Sequence, residues 1–340
     1  MNDATVLVTG ISGFIAKHCA VELLKHGYRV CGTVRSLDKA DTVRSTLAAH
    51  ADASRLEFVE ADLLSDAGWA DATRGVHGVL HLASPFPLAQ PKDENELVRP
   101  AVDGTMRVLR AAKAAGVKRF VQTSSTVAVI FGHGSSHPGA YTEADWTDVD
   151  GPHVTAYAKS KTLAERAARE FVAKEGDALH YASVNPGLVL GPLLDADAGS
   201  SADLIASCLR GKYPGCPRLS FPVVDVRDVA QAHRLALETE APSGGRYLAV
   251  SGTAWFKELM QPIKSELGEQ ARKVPTRELP DFMVKLVALF DPAARTILPD
   301  LGIDRRVDNS ATRKVLGMDF RPHTESAPAM AESLLRLGLV

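Results

Sequence analysis

Cysteine is scarce in this chain, and none of it is paired by spacing. The four residues Cys19, Cys31, Cys208 and Cys216 show no CxxC pattern, which argues against a zinc ribbon or a disulfide framework and for reduced, partly buried thiols in a cytoplasmic protein. Long apolar runs are also missing: none approaches the ~18 residues that a membrane span needs. Neither sign of charge dominates, with 39 Lys and Arg against 41 Asp and Glu for a net charge of -2. That balance leaves no basic footprint for nucleic acid or an anionic membrane. No signal peptide is expected, because "TVLVTG" already reads as a strand from residue 5. Repeats and low-complexity tracts are lacking. The histidines are scattered, and the close pair His133 and His137 lies in the loop-like "GHGSSHPG", so no metal site is expected.

What is present is an alternation of strand-like and helix-like segments. "TVLVTG", "YRVCGTVR", "LEFVEADL", "GVLHLAS", "RFVQTSS" and "HYASVNPG" are short and apolar, as strands buried on both faces of a parallel sheet must be. Between them run helical stretches such as "GFIAKHCAVELLKHG", which ends at Gly27, a suitable helix stop. This rhythm predicts an α/β fold with a doubly wound parallel sheet. It breaks after "NPGLVLGP" and returns in "FPVVDVRDVAQAHRLALE". We therefore expect residues 1–189 plus 222–250 to form a dinucleotide-binding domain. Residues 190–221 plus 251–340 would form a smaller substrate-binding lobe over the carboxyl ends of the strands.

"VLVTGISGFIAKH" sets Gly10, Gly13 and Ala16 at the turn from the first strand into the first helix. Gly10 permits the tight turn, Gly13 lets the backbone approach a pyrophosphate, and the helix start supplies unpaired N–H groups and a positive dipole end. An NAD site places an acid at the end of the second strand, about 20 residues on, to hold the ribose hydroxyls. Here that region reads "CGTVRSLDK". Arg35 stands where the acid would be, and a guanidinium can grip a 2′-phosphate with paired hydrogen bonds. Lys39 adds charge. Asp62 and Leu63, just past the third strand, are placed to meet the adenine.

"TAYAKSKTLAE" carries one tyrosine and two lysines. On a helix Lys161, at i+4, shares a face with Tyr157, whereas Lys159, at i+2, points away. A cation beside a phenol lowers its pKa toward the working range, and Lys159 reads as a solvated bystander. Tyr-x-x-x-Lys alone is equally an amphipathic surface pair. Here "VQTSSTVAV" also ends a strand on Thr123, Ser124 and Ser125, where a hydroxyl can hold a substrate carbonyl.

With TGxxGxxA, these motifs resemble the extended short-chain dehydrogenase/reductase family over nearly the whole chain. "VRSLDK", "LHLASPF", "TSSTVAV", "YTEADW", "YAKSKTLAE", "NPGLVLGP" and "FPVVDVRDVAQAH" resemble its dihydroflavonol-reductase-like branch, within the NAD-dependent epimerase/dehydratase group. The resemblance implies a Rossmann-type fold, NADP(H) as cofactor, and reversible hydride transfer between the cofactor and a carbonyl. It implies Tyr157 as proton donor, Lys161 as the group that lowers its pKa and holds the nicotinamide ribose, and Ser125 as the group that orients the carbonyl. Further cofactor contacts are expected from Ser12, Phe14 and Ile15 in the loop, from Leu82, Ala83 and Ser84 after the fourth strand, from Thr123, and from Pro186, Gly187 and Val189. Ser84, Phe86, Val127, Ile130 and Phe131 are expected to line the substrate pocket.

The NWYCY-type run of cinnamoyl-CoA reductases is absent, and Ile130 stands where flavonoid-reducing members often have asparagine. A carbonyl reductase with an apolar pocket, taking a small-molecule carbonyl or alcohol, fits better than a plant phenylpropanoid enzyme. A hydroxysteroid dehydrogenase or a nucleotide-sugar epimerase or dehydratase shares the scaffold. A non-catalytic NADP sensor is the alternative of another class, although such proteins typically lose the Tyr-Lys pair. Composition does not distinguish a monomer from a homodimer.

Overall fold

The computed structural model describes residues 3–84, 93–134, 137, 139–175, 179–197 and 199–340. Strands β1 (Thr5–Val8), β2 (Arg29–Val34), β3 (Leu56–Glu60), β4 (Gly78–His81), β5 (Arg119–Thr123) and β6 (His180–Pro186) alternate with helices. β7 (Leu188–Leu190), β8 (Ser220–Asp225), β9 (Gly245–Ala249) and β10 (Gly252–Trp255) follow. Among the described residues, seven strands form one sheet in the order β3-β2-β1-β4-β5-β6-β9, with every pairing parallel. The winding reverses between β1 and β4, so their carboxyl ends open the crevice in which such sheets bind ligands. This is the doubly wound α/β fold expected from the alternation.

Successive side chains of a strand point to opposite faces, and both faces here are covered. Val6 and Val8 of β1 pack with Leu80, Val121 and Val184 under the helices Phe14–Lys25 and Val226–Glu238. Leu7 packs with Val79, Phe120 and Tyr181 under the helices Asn95–Ala114 and Ala156–Glu175. Each fully buried aliphatic side chain of this kind contributes about 1.5–3 kcal/mol, so a polar substitution at Leu7 or Val79 would disrupt the sheet from within. All four cysteines are buried and free, and burial pushes the Cys31 and Cys216 thiols up to about 11.

Among the described residues, a second sheet of three strands has the order β10-β8-β7. Its core joins Leu190, Ile205, Val223, Leu259, Met260 and Met330, drawn from β7, β8 and the helices Gly199–Leu209, Phe256–Leu267 and His323–Arg336. Here the structure divides what the sequence kept whole. The unit expected to return to the dinucleotide-binding domain at residue 222 splits. β8 pairs with β7 and β10 in the small sheet. Its helix, Val226–Glu238, packs on the large sheet, and β9 adds the seventh strand there. The expected boundary at 189/190 likewise falls inside β7. The cause is local: the chain passes from β6 to β7 through the single residue Gly187. β7 then offers a free edge that β8 fills in register Leu188↔Val223.

Candidate active site

The loop between β1 and the helix Phe14–Lys25 is shaped by backbone. Gly10 has φ +62, and a Cβ there would lie 3.1 Å from the Ala83 side chain. That left-handed conformation and close approach suit glycine. Thr33 anchors the loop from β2: its hydroxyl accepts the Gly10 N–H at 2.9 Å and its carbonyl the Ile11 N–H at 3.1 Å. Gly13 caps the helix without a side-chain bond and the first turn holds no acid, so the leading N–H groups lack intrahelical acceptors beside the partly exposed Ser12, Phe14 and Ile15. A helix start of this kind can receive a pyrophosphate. At the end of β2, Arg35 and Lys39 are exposed. Asp38 is turned into its own loop, where it accepts from the Ser36 hydroxyl at 2.9 Å. The two cations are thus available to a 2′-phosphate, and the residues fit the NADP(H) expected of them.

Past β3, the Asp62 carboxylate accepts from Leu64 N–H at 2.9 Å, and Leu63 lies against Gly104. After β4, the amides of Leu82 and Ala83 both donate to Thr9 Oγ1, at 3.0 and 2.9 Å. With two hydrogens accepted, the Thr9 hydroxyl donates its own to His81 Nδ1 at 3.0 Å. Burial holds His81 down at about 3, with the Lys161 charge adding to the effect. It is therefore a neutral strut under the site. Ser84 is partly buried, and Phe86 lies outside the described residues.

At the end of β5 the three hydroxyl residues have separate tasks. Thr123 Oγ1 meets His233 Nε2 at 2.7 Å. Ser124 Oγ donates to Glu165 at 2.6 Å. Ser125 caps the short turn Thr126–Ala128, accepting the Val127 N–H at 3.3 Å, and its hydroxyl is hydrogen-bonded to Tyr157. Ser125, not Ser124, is the serine that reaches the tyrosine.

Tyr157 enters from the first turn of the helix Ala156–Glu175, which Thr155 opens by accepting the Ala158 N–H at 3.2 Å. Lys161, one turn on, is buried, with Nζ 3.4 Å from the Thr123 carbonyl. Lys159 points away, as its helical phase requires, but it is not merely solvated. It pairs with Glu94 at 2.8 Å at the head of the neighbouring helix. One expectation is reversed. A lysine at i+4 was to lower the Tyr157 pKa; instead burial pushes the phenol up to about 12, opposed by the Ser125 hydrogen bond. Burial also draws Lys161 down to about 8, against the pull of Glu165. For both groups desolvation is the largest influence.

Pro186 and Gly187 border Ser125, whose Oγ lies 3.4 Å from the Pro186 carbonyl. Val189 is a core side chain. Among the pocket residues, Val127 and Phe131 are partly buried, and Phe131 lies under the Arg305 guanidinium at 4.5 Å. Ile130, expected at the pocket wall, instead packs into a small core with Val129, Tyr141 and Leu248.

The sequence reading missed two groups. Lys17, next to Ala16, is buried and paired with Asp195. His18 meets the Pro192 carbonyl at 2.9 Å, so the segment after β7 is strapped to the phosphate-loop helix. The other is Glu165, the third member of an i, i+4, i+8 series after Tyr157 and Lys161, and that periodicity was the available signal.

Residues 6–249 match the model of the NAD dependent epimerase/dehydratase family. The chain is 34% identical over 334 residues to the ketoreductase azaE of Aspergillus niger, covering 93% of each. It is 33% identical over 253 residues to dihydroflavonol 4-reductase of Zea mays, covering 73% of this chain and 70% of that one. In three dimensions it is similar to yeast methylglyoxal/isovaleraldehyde reductase Gre2 complexed with NADPH, with a TM-score of 0.80 and 26% identity over 99% of this chain and 100% of the other.

Proposed function

The chain belongs to the NAD-dependent epimerase/dehydratase family, and from that premise we propose that it reduces ketones or aldehydes with a hydrophobic or aromatic flank. It is an NADP(H)-dependent oxidoreductase of the dihydroflavonol-reductase-like branch. The observation that carries the finer reading is the hydrogen bond between Ser125 and Tyr157, with buried Lys161 one helical turn away.

NADPH, when bound, supplies the hydride. The protein's own groups do the rest. The substrate carbonyl oxygen accepts from the Ser125 and Tyr157 hydroxyls. Burial keeps Tyr157 protonated at neutral pH, which is the form that reduction consumes. As its proton moves to the nascent alkoxide, the Lys161 ammonium and the positive end of the helix offset the charge left on the phenol. Hydride plus proton converts the carbonyl to an alcohol. Val127 and Phe131 supply apolar contact beside the reacting carbon. Four free, buried thiols suit the reducing conditions of the cytoplasm, and among the described residues no helix is long and apolar enough to cross a membrane.

The direct test is loss of NADPH absorbance with methylglyoxal, isovaleraldehyde, an aryl methyl ketone, an acyl-CoA thioester and a nucleotide sugar. We expect turnover of the simple carbonyls. Because one methylene in an apolar pocket is worth only ~1–3 kcal/mol, several should be accepted. Turnover confined to the CoA-linked or nucleotide-linked compound would reject the reading.

Cofactor choice is tested separately. Arg35→Asp removes an exposed guanidinium from the end of β2 and adds repulsion against a 2′-phosphate. Charge-assisted hydrogen bonds contribute about 1.5–3 kcal/mol, so the NADPH/NADH ratio of kcat/KM should fall by ~10-fold or more. An unchanged ratio would move 2′-phosphate recognition to another group, Lys39 being the nearest in sequence.

A further inference from the structure

Behind the serine and tyrosine lies a buried charge that the reaction above does not use. Glu165 is fully buried and accepts four hydrogen bonds: from Ser124 Oγ at 2.6 Å, Ser183 Oγ at 2.9 Å, Asn185 Nδ2 at 2.9 Å and Arg246 Nε at 2.7 Å. Arg246 is itself buried. It lies over the Trp146 ring at 3.7 Å and donates to the carbonyls of Ala128, Glu143 and Asp145. The second hydrogen of the Asn185 amide goes to the Ser125 carbonyl at 3.1 Å. Glu165 and its partners therefore hold the chain on both sides of the Ser125 hydroxyl: the Ser124 side chain directly, the Ser125 carbonyl through Asn185, and Ala128 through Arg246. The same carboxylate stands one helical turn beyond Lys161.

We infer that Glu165, locked by Arg246 and Asn185, is a positioning residue that aligns Ser125 with Tyr157 and supplies the counter-charge beside Lys161. The inference rests on the proposed roles of Ser125, Tyr157 and Lys161. The groups around Lys161 leave this task to Glu165. Tyr157 on the same helix is protonated, His81 from β4 is neutral, and β5 presents the uncharged Thr123 carbonyl. Arg246 and Arg169 lie on the far side of Glu165, at 2.7 and 3.9 Å, and both are cations. Burial draws Lys161 toward neutrality and Glu165 opposes it.

Three variants separate the two tasks from each other and from the underlying reading. Ser124→Ala removes one positioning contact and keeps the charge. It should lower kcat about 10-fold, as a small misplacement of a reacting group does, with the KM for NADPH and the basic limb of the pH profile unchanged. Glu165→Gln removes the charge and should move the basic limb to lower pH by on the order of one unit. If that variant does not fold, because Arg246 is left buried and unpaired, Glu165→Gln/Arg246→Met removes both charges and should move the limb in the same direction by a smaller amount, since the loss of the Arg246 cation partly offsets the loss of the carboxylate. A limb that stays in place in the folded variant, or wild-type kcat in Ser124→Ala, would overturn the inference. Tyr157→Phe is run alongside: if it keeps full turnover, the proposed triad itself fails, whereas an inactive Tyr157→Phe with an unmoved limb refutes only the role of Glu165.

Discussion

Tyr157→Phe should cut turnover at least ~10²-fold while leaving the fold and the affinity for NADPH near wild type. The ring stays and only the hydroxyl goes, so packing at the head of the helix Ala156–Glu175 is preserved. What is lost is the proton donor, and general acid catalysis contributes typically 10²–10⁴-fold. The hydrogen bond with Ser125 is lost with it, so Ser125 alone would orient the carbonyl. Steady-state kcat with a simple aldehyde and NADPH binding by fluorescence titration separate the two effects. Retention of more than about a tenth of wild-type turnover would mean that the proton comes from elsewhere.

Lys161→Met and Lys159→Met should differ by a similar factor, although the two lysines lie two positions apart. Met fills the buried space of Lys161 without its charge, and the phenolate that forms as Tyr157 gives up its proton would then lack a neighbouring cation. We expect a fall of ~10² or more in kcat. Lys159→Met breaks only the contact with Glu94, which is partly exposed. Such pairs contribute roughly 0–1 kcal/mol to stability, and turnover should stay within about twofold of wild type, since this site takes no part in proton transfer. The pH profile adds a check on sign. With its pKa drawn down to about 8, Lys161 is charged below that pH and neutral above it. Reduction by the wild type should therefore weaken as pH rises through about 8, and this limb should be missing from Lys161→Met. Equal losses in the two variants would contradict the helical phase on which the assignment rests.

The glycine turn after β1, the parallel sheet and the Tyr157–Lys161 face were legible in the sequence because each is a local pattern. Gly10 and Gly13 mark one turn, Val6, Leu7 and Val8 mark one doubly buried strand, and i+4 spacing sets one helix face. What escaped was made by distant partners. Glu165 meets Asn185 across 20 positions and Arg246 across 81, and nothing in "TLAERAARE" itself tells its buried Glu165 from its exposed Glu170. Ile130 read as a pocket residue from its distance to Ser125, but its neighbours Tyr141 and Leu248 come from other parts of the chain. The Tyr157 pKa was judged from a nearby charge, while the larger influence, desolvation, depends on packing that spacing does not report. The β8 strand misled for another reason: its pattern suits any buried strand, and only the free edge of β7 decides which sheet receives it.

Gly187 joins the two sheets with no slack. Its amide donates to the Ala249 carbonyl at 3.2 Å, and a Cβ on it would lie 2.3 Å from the Pro222 carbonyl oxygen. The joint is thus boxed between β9 on one side and β8 on the other, with no room for a side chain. Anyone recombining this chain with a relative to change its substrate range should treat β6, Gly187, β7 and β8 as one inherited cassette. A crossover placed at the apparent domain boundary would pair the joint with a foreign β8, and the misfit would be delivered to Pro186, next to Ser125. Crossovers in the segment between β7 and β8, which carries the helix Gly199–Leu209, leave that joint intact only if β8 returns from the same parent.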